Sequence, residues 1–128
     1  MRFAYTIIYV PDVEAALFFY ERAFSIKRLF LHESMQYGEL ATGSTKLAFA
    51  SEIMAESNGV DFISNRSTSN KAPGFEIAFV ADDVAAAYQQ ALAAGAIDVK
   101  GPIEKPWGQT VAYVRDLNGV LVEICSQL

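Results

Sequence analysis

The sequence is poor in the residues that common metal and catalytic sites require. It has one histidine, His32, and one cysteine, Cys125, in 128 residues. A single histidine excludes His-rich zinc sites and argues against a Ser-His-Asp triad. A single cysteine excludes an internal disulfide, so we expect the protein in the cytoplasm. Because Cys125 ends an apolar run, we expect it to pack in a strand and not to act as a nucleophile.

The chain also lacks an excess of positive charge and any long apolar run. Its 10 Lys and Arg against 15 Asp and Glu give a net charge of −5, so we expect it to bind neither nucleic acid nor an anionic membrane. No apolar run is long enough to span a bilayer, and the first residues lack the apolar core of a signal peptide. With 52% hydrophobic and 20% charged residues, the composition predicts one globular domain over residues 1–128.

Strands and capped helices alternate along the first part of the chain. An aromatic and β-branched run predicts a strand over 3–10, and Asp12 is placed to cap a helix over 13–24. Strands are predicted over 27–31, 35–40 and 45–50. These elements form a first module at about 3–51. A polar segment at about 52–73, with a short helix over 52–57 and a turn-forming stretch over 64–70, is predicted to be a linker.

The second part repeats this plan in a module at about 74–127. The predicted elements are a strand over 75–80, a helix over 84–94 capped by Asp83, and strands over 97–102, 110–114 and 121–125. A shift of 71 residues brings Asp12 onto Asp83 and Tyr5 onto Glu76. Farther on, with gaps, residues 47–49 align with 122–124, and residues 37–38 with 107–108.

This agreement predicts an α+β fold of two tandem β-α-β-β-β modules, which form a curled mixed sheet around a cleft. The alternative is a chance likeness of two β-α units. A cleft of this kind is a natural ligand site.

Three stretches carry a resemblance to a known superfamily. They are residues 5–13 with 18–20, residues 74–79, and residues 106–109 followed by 115–116, 118–119 and 122–124. Over nearly its whole length the chain resembles the vicinal oxygen chelate superfamily, which includes glyoxalase I, bleomycin-resistance proteins, fosfomycin-resistance enzymes and extradiol dioxygenases. The resemblance implies the glyoxalase/bleomycin-resistance/dioxygenase-like fold, a small organic molecule as the partner, and a homodimer.

The resemblance also identifies four positions for metal ligands. Metal-dependent members of the superfamily use equivalent strand positions of the two modules, and these positions hold Tyr5, Ala48, Glu76 and Glu123 in this sequence. Ala48 offers no donor atom and a neutral tyrosine is a weak ligand, so the metal site is degenerate. We expect no cofactor. The alternative is a weakly bound divalent metal such as Mg²⁺ or Mn²⁺, held by Glu76 and Glu123.

Glu76 and Glu123 are notable in their own right because each lies among apolar neighbours in a predicted strand. Such a carboxylate must face solvent or a cavity, since burying it unpaired is too costly. If both face one cleft, their repulsion should hold one of them partly protonated. Three uses remain open: metal chelation, recognition of a basic or hydrogen-bond-donating ligand, and purely structural hydrogen bonds.

Aromatic side chains are further candidates for the cleft, although any one of them could equally lie in the core. Trp107 follows a proline in a predicted loop and could stack on a planar ligand. The predicted ligand-binding residues are Tyr5, Tyr37, Ala48, Phe49, Phe62, Glu76, Trp107 and Tyr113.

Two functions follow from these residues. The leading hypothesis is a small-molecule-binding protein that sequesters a drug or metabolite. The alternative is a metal-dependent lyase of the glyoxalase (lactoylglutathione lyase) type, or a dioxygenase-like enzyme, with Glu123 as its catalytic residue. A structural or regulatory binding domain has no positive signal in the sequence.

Overall fold

A computed structural model of the protein describes residues 1–65 and 71–128. The predicted turn-forming stretch over 64–70 therefore lies mostly outside the described residues. The chain divides into two compact units: among the described residues, the first holds residues 1–21 and 25–65, and the second holds residues 22–24 and 71–128. In the described part of the chain, no helix is long and apolar enough to cross a membrane.

The first unit is a four-stranded sheet with two helices. Its elements are β1 (Tyr5–Val10), α1 (Val13–Phe24), β2 (Arg28–Leu31), β3 (Tyr37–Leu40), β4 (Lys46–Ser51) and α2 (Glu52–Ser57). The strand order is β1-β4-β3-β2, with β1 parallel to β4 and the other pairs antiparallel. Both helices have the predicted bounds, and the strands begin or end within two residues of the predicted positions.

The second unit repeats this topology. Its elements are β5 (Glu76–Val80), α3 (Val84–Ala93), β6 (Ile97–Glu104), β7 (Thr110–Arg115) and β8 (Leu121–Cys125), and the strand order is β5-β8-β7-β6. The predicted fold of two tandem β-α-β-β-β modules is confirmed. The strand predicted over 97–102 continues to Glu104, because β6 is an edge strand and tolerates a proline such as Pro102.

Both long helices start at the predicted aspartates. Asp12 Oδ1 accepts a hydrogen bond from the backbone N–H of Ala15, and Asp83 Oδ1 accepts one from that of Ala86, each at 3.0 Å. These bonds satisfy donors that the first turn of a helix leaves free. The helices thus begin at equivalent places in the two units.

Helix α1 covers one face of the first sheet. Leu17, Tyr20 and Phe49 are almost completely buried between helix and sheet, and the rings of Tyr20 and Phe49 lie 5.1 Å apart. Because side chains alternate along a strand, their neighbours on each strand point to the opposite face. We call this opposite face the free face of the first sheet; it carries Tyr5, Ile7, Tyr9, Phe30, Tyr37, Glu39, Lys46, Ala48 and Ala50.

Helix α3 covers the second sheet in the same manner. Tyr88 of α3 donates a 2.6 Å hydrogen bond to Asp98 on β6, and the buried Val114 and Ile124 lie on that side of the sheet. The free face of the second sheet, on the other side, carries Glu76, Ala78, Val80, Val111, Tyr113, Arg115, Leu121, Glu123 and Cys125.

Strand registers fix which residues of the two units correspond. Ile7 pairs with Ala48, and Ala78 pairs with Glu123, so Ala48 and Glu123 are equivalent, as predicted. The predicted alignment of residues 37–38 with 107–108 is wrong, because Trp107 precedes β7 in a turn. The two aligned glycines are required for different reasons. Gly108 adopts a φ of 93° in this turn, whereas Gly38 lies in β3, where an added Cβ would clash with Leu17 of α1.

Candidate functional site

The free face of the second sheet brings together Glu76, Tyr113 and Glu123. Tyr113 lies directly opposite Glu123 on the neighbouring strand, and its hydroxyl donates a 3.0 Å hydrogen bond to Glu123 Oε2. Glu76 is a diagonal neighbour on the other side, because Ala78, two residues farther along β5, pairs with Glu123. Three strands therefore contribute one oxygen-bearing side chain each.

The two carboxyl groups of this cluster are electrostatically linked. The pKa of Glu76 is raised by partial burial, by a hydrogen bond to Glu123 and by repulsion from the Glu123 charge. When Glu76 is protonated, it can donate to the Glu123 carboxylate, as expected for two carboxylates on one face. Burial, the hydrogen bond to Glu123 and the nearby negative charges raise the pKa of Tyr113 to about 12, so Tyr113 is an O–H donor at neutral pH.

Cys125 lies on the same strand as Glu123 and is buried. Burial, followed by a hydrogen bond and repulsion from Glu123, raises the pKa of its thiol. The thiol lies 3.6 Å from the backbone carbonyl of Phe79, to which it donates. A protonated, buried thiol is a poor nucleophile, which agrees with the packing role expected from the sequence.

The free face of the first sheet holds a second polar cluster, which sequence reasoning missed. Its centre is Glu39, which lies opposite Ala48 and is 5% exposed. Tyr37 donates a 3.0 Å hydrogen bond to Glu39 Oε2, and Lys46 Nζ lies 3.3 Å from Glu39 Oε1. The carboxylate that is absent at position 48 is therefore present on the neighbouring strand. Only the pairing of β3 with β4 reveals this placement.

The two free faces share a phenol hydrogen-bonded to a carboxylate. Burial, the hydrogen bond to Glu39 and the charges around it raise the pKa of Tyr37 to about 12, as for Tyr113 in the second unit. Tyr5, 45% exposed, is the aromatic neighbour of this first cluster, and Lys46 Nζ lies 5.6 Å from the centroid of its ring.

The remaining predicted site residues lie outside these two polar clusters. Phe49 points to the opposite face of β4, is fully buried and packs against Tyr20, so it belongs to the core and not to the predicted ligand site. Phe62 follows α2 and packs edge-on against the ring of Tyr9, 5.0 Å away. Trp107 is 62% exposed in the turn before β7, where its Nε1 donates a 3.0 Å hydrogen bond to Gln109.

The donor set does not fit the four-ligand metal centre that the resemblance implies. Ala48 carries no donor atom, and the two carboxylates of the second unit are engaged with each other and with Tyr113. Over residues 1–65 and 71–128, no group of three or more His, Cys, Asp and Glu side chains is arranged to hold a metal ion. Two carboxylates alone are a weak site for any divalent cation.

The duplicated modules, each with a helix on one sheet face, define a protein of the glyoxalase/bleomycin-resistance/dioxygenase superfamily, as the sequence resemblance implied. The profile of the glyoxalase-like domain family matches residues 3–128, and the chain belongs to that family. No curated protein matches the chain significantly.

Solved structures share the fold at low sequence identity. A glyoxalase-related enzyme from Fulvimarina pelagi is 22% identical, with a TM-score of 0.80 over 99% of this chain and 88% of the other. A glyoxalase/bleomycin resistance protein/dioxygenase family enzyme from Burkholderia phytofirmans PsJN is 23% identical, with a TM-score of 0.81 over 98% of each chain. TioX from Micromonospora sp. ML1 is 22% identical, with a TM-score of 0.74 over 100% of both chains. Identities this low support a common fold only.

Proposed function

We propose that the protein binds and sequesters a small organic molecule, cationic or rich in hydrogen-bond donors, at the free face of the second sheet. The observation that carries this proposal is the cluster of Glu76, Glu123 and Tyr113 on one sheet face, where Tyr113 donates to Glu123 and the repulsion between the two carboxylates helps to raise the pKa of Glu76. A bound cation would relieve this repulsion, because it stabilises two ionised carboxylates side by side.

The surroundings of the cluster suit an organic cation better than a bare metal ion. Val80, 58% exposed, and Ala78 lie on the same face along β5, where they can contact the hydrocarbon part of a ligand. Sites for small molecules combine such apolar surface with a few polar groups that fix orientation. The carboxylates are the polar groups here.

The test uses benzylammonium as the cationic probe and benzyl alcohol as its neutral counterpart, in calorimetric titrations. We expect benzylammonium to bind more tightly than benzyl alcohol, and Glu123→Gln to weaken its binding at least tenfold. Glu104→Gln is the matched control, because Glu104 is an exposed carboxylate of the same sheet, at the end of β6. Equal binding of the two probes, or equal losses in the two variants, would contradict the proposal.

Metal analysis addresses the alternative of a metal-dependent lyase. Protein purified without added metal is expected to contain no stoichiometric divalent cation. Stoichiometric metal that is lost on Glu76→Ala would overturn the sequestering function in favour of the lyase. The emission of Trp107, the only tryptophan, reports whether the β6–β7 turn contributes to binding.

We also propose that the protein is a cytoplasmic homodimer, as its superfamily resemblance and its single cysteine suggest. Sedimentation equilibrium is expected to give twice the 14.0 kDa mass of one chain. A mass of one chain at micromolar concentration would contradict the dimer.

A further inference from the structure

The free face of the first sheet contains the components of a second cation site. Glu39 Oε1 and the ring of Tyr5 both face the Nζ of Lys46, at 3.3 Å and at 5.6 Å from the ring centroid respectively. A carboxylate and an aromatic face are the two groups by which proteins recognise ammonium ions. Here the ammonium belongs to the chain itself.

The carboxylate of this site is buried and incompletely satisfied. The Glu39 side chain is 6% exposed, and its Oε2 accepts the hydrogen bond from Tyr37. Its Oε1 has no hydrogen-bond partner, because the Lys46 ammonium lies within ion-pair distance but outside hydrogen-bonding geometry. A buried acceptor without a hydrogen bond is costly, so a better-placed N–H donor would be favoured there.

Lys46 is partly exposed and can be displaced from this site. Its side chain is 37% exposed, and a lysine on its flexible four-carbon stem can return its ammonium to water at little cost. Ile7 and Phe30, 46% and 40% exposed, lie beside Ala48 and Glu39 on the same face and provide apolar contact area next to the carboxylate.

From these contacts we propose that Lys46 occupies an organic-cation site of the first unit, and that a primary ammonium on an apolar group competes with Lys46 for Glu39. The site consists of residues of the first unit only, and it goes beyond the function proposed for the Glu76–Glu123 cluster. Lys46 acts as a tethered competitor, whose effective concentration of about a millimolar or more lowers the apparent affinity for any external cation.

The experiment removes the competitor in a background that lacks the other site. In protein carrying Glu123→Gln, calorimetry at pH 8 compares benzylammonium binding before and after Lys46→Met. We expect Lys46→Met to raise the affinity about tenfold, and Glu39→Gln added to Lys46→Met to remove the gain. The control is Lys27→Met, which makes the same charge change at an exposed lysine of the same unit and should leave the affinity unchanged.

Two results would overturn the inference: Lys46→Met binds benzylammonium no more tightly than its parent, or the gain persists with Glu39→Gln. If the Glu39 variant does not fold, as judged by circular dichroism, Tyr5→Leu in the Lys46→Met protein replaces it. That variant should weaken binding severalfold, and unchanged binding would count against the site. Because every protein in this series carries Glu123→Gln, failure here is distinguishable from failure of the site in the second unit.

Discussion

Gly38 offers a sharp test of how closely α1 approaches the first sheet. A Cβ added at Gly38 would lie 2.6 Å from Leu17 Cδ1, 3.1 Å from the backbone oxygen of Phe30 and 3.3 Å from Val13 Cγ1. Ordinary contacts between carbon atoms are about 3.5–4.0 Å. The Leu17 methyl can turn aside, but the Phe30 oxygen can retreat only if β2 moves with it.

We therefore expect Gly38→Ala to be destabilising. Overpacking of a filled core costs about 1–3 kcal/mol, and the smaller conformational freedom of alanine in the unfolded chain returns about 0.4–1 kcal/mol. The net loss in the free energy of unfolding should be about 1–2 kcal/mol. Gly101→Ala is the matched control in β6, because its Cβ would lie 3.8 Å from the Tyr88 hydroxyl, an ordinary contact.

Urea unfolding followed by far-UV circular dichroism measures both variants, and the m-value should stay constant. Leu17→Ala provides a second arm, since it alone costs about 2–5 kcal/mol. Combined with Gly38→Ala it should cost at least about 1 kcal/mol less than the sum, because the new methyl fills the vacated space. Wild-type stability in Gly38→Ala, or strict additivity with Leu17→Ala, would refute the reasoning.

Two further predictions concern the carboxylates of the two clusters. Tyr37→Phe should lower the free energy of unfolding by about 1–3 kcal/mol, because buried Glu39 loses a hydrogen bond that water cannot replace. Tyr113→Phe should lower it by about 1 kcal/mol or less, because half-buried Glu123 can bond to water instead. Equal losses in urea unfolding would contradict this. The raised pKa of Glu76 means that the folded chain binds its proton more tightly than the unfolded chain, so its contribution to stability is full at acid pH and is lost as the pH rises through the raised pKa. Unfolding measured between about pH 4 and 8 should show this decline, and Glu76→Gln should remove it.

The elements set by local chemistry could be predicted from the sequence. Helix α1 begins after Asp12 because a capping aspartate and a helical apolar period occur together, and α3 repeats both signals after Asp83. The end of β6 was not predictable in this way. Whether Pro102 stops a strand depends on whether the strand lies at an edge, and that is a property of the sheet.

The candidate site was partly predictable for a related reason. Glu76 and Glu123 stand out as charges among apolar strand residues, whereas Glu39 lies in the short stretch Tyr37–Leu40, where a glutamate is equally typical of an exposed position. Phe49 could have been excluded from the sequence, because it is adjacent to Ala48 and successive side chains of a strand point to opposite faces.

The residues at equivalent positions of the two units explain why the two clusters differ in charge. Tyr5 pairs with Lys46, and Glu76 pairs with Leu121, so the second unit has leucine where the first has its lysine. In the first unit the tethered ammonium of Lys46 lies beside the carboxylate of Glu39. The second unit has two carboxylates and no lysine at that position, and their repulsion contributes to the raised pKa of Glu76. At the second cluster an external cation has no lysine of that position to displace, so we expect the second unit to be the better receptor for it.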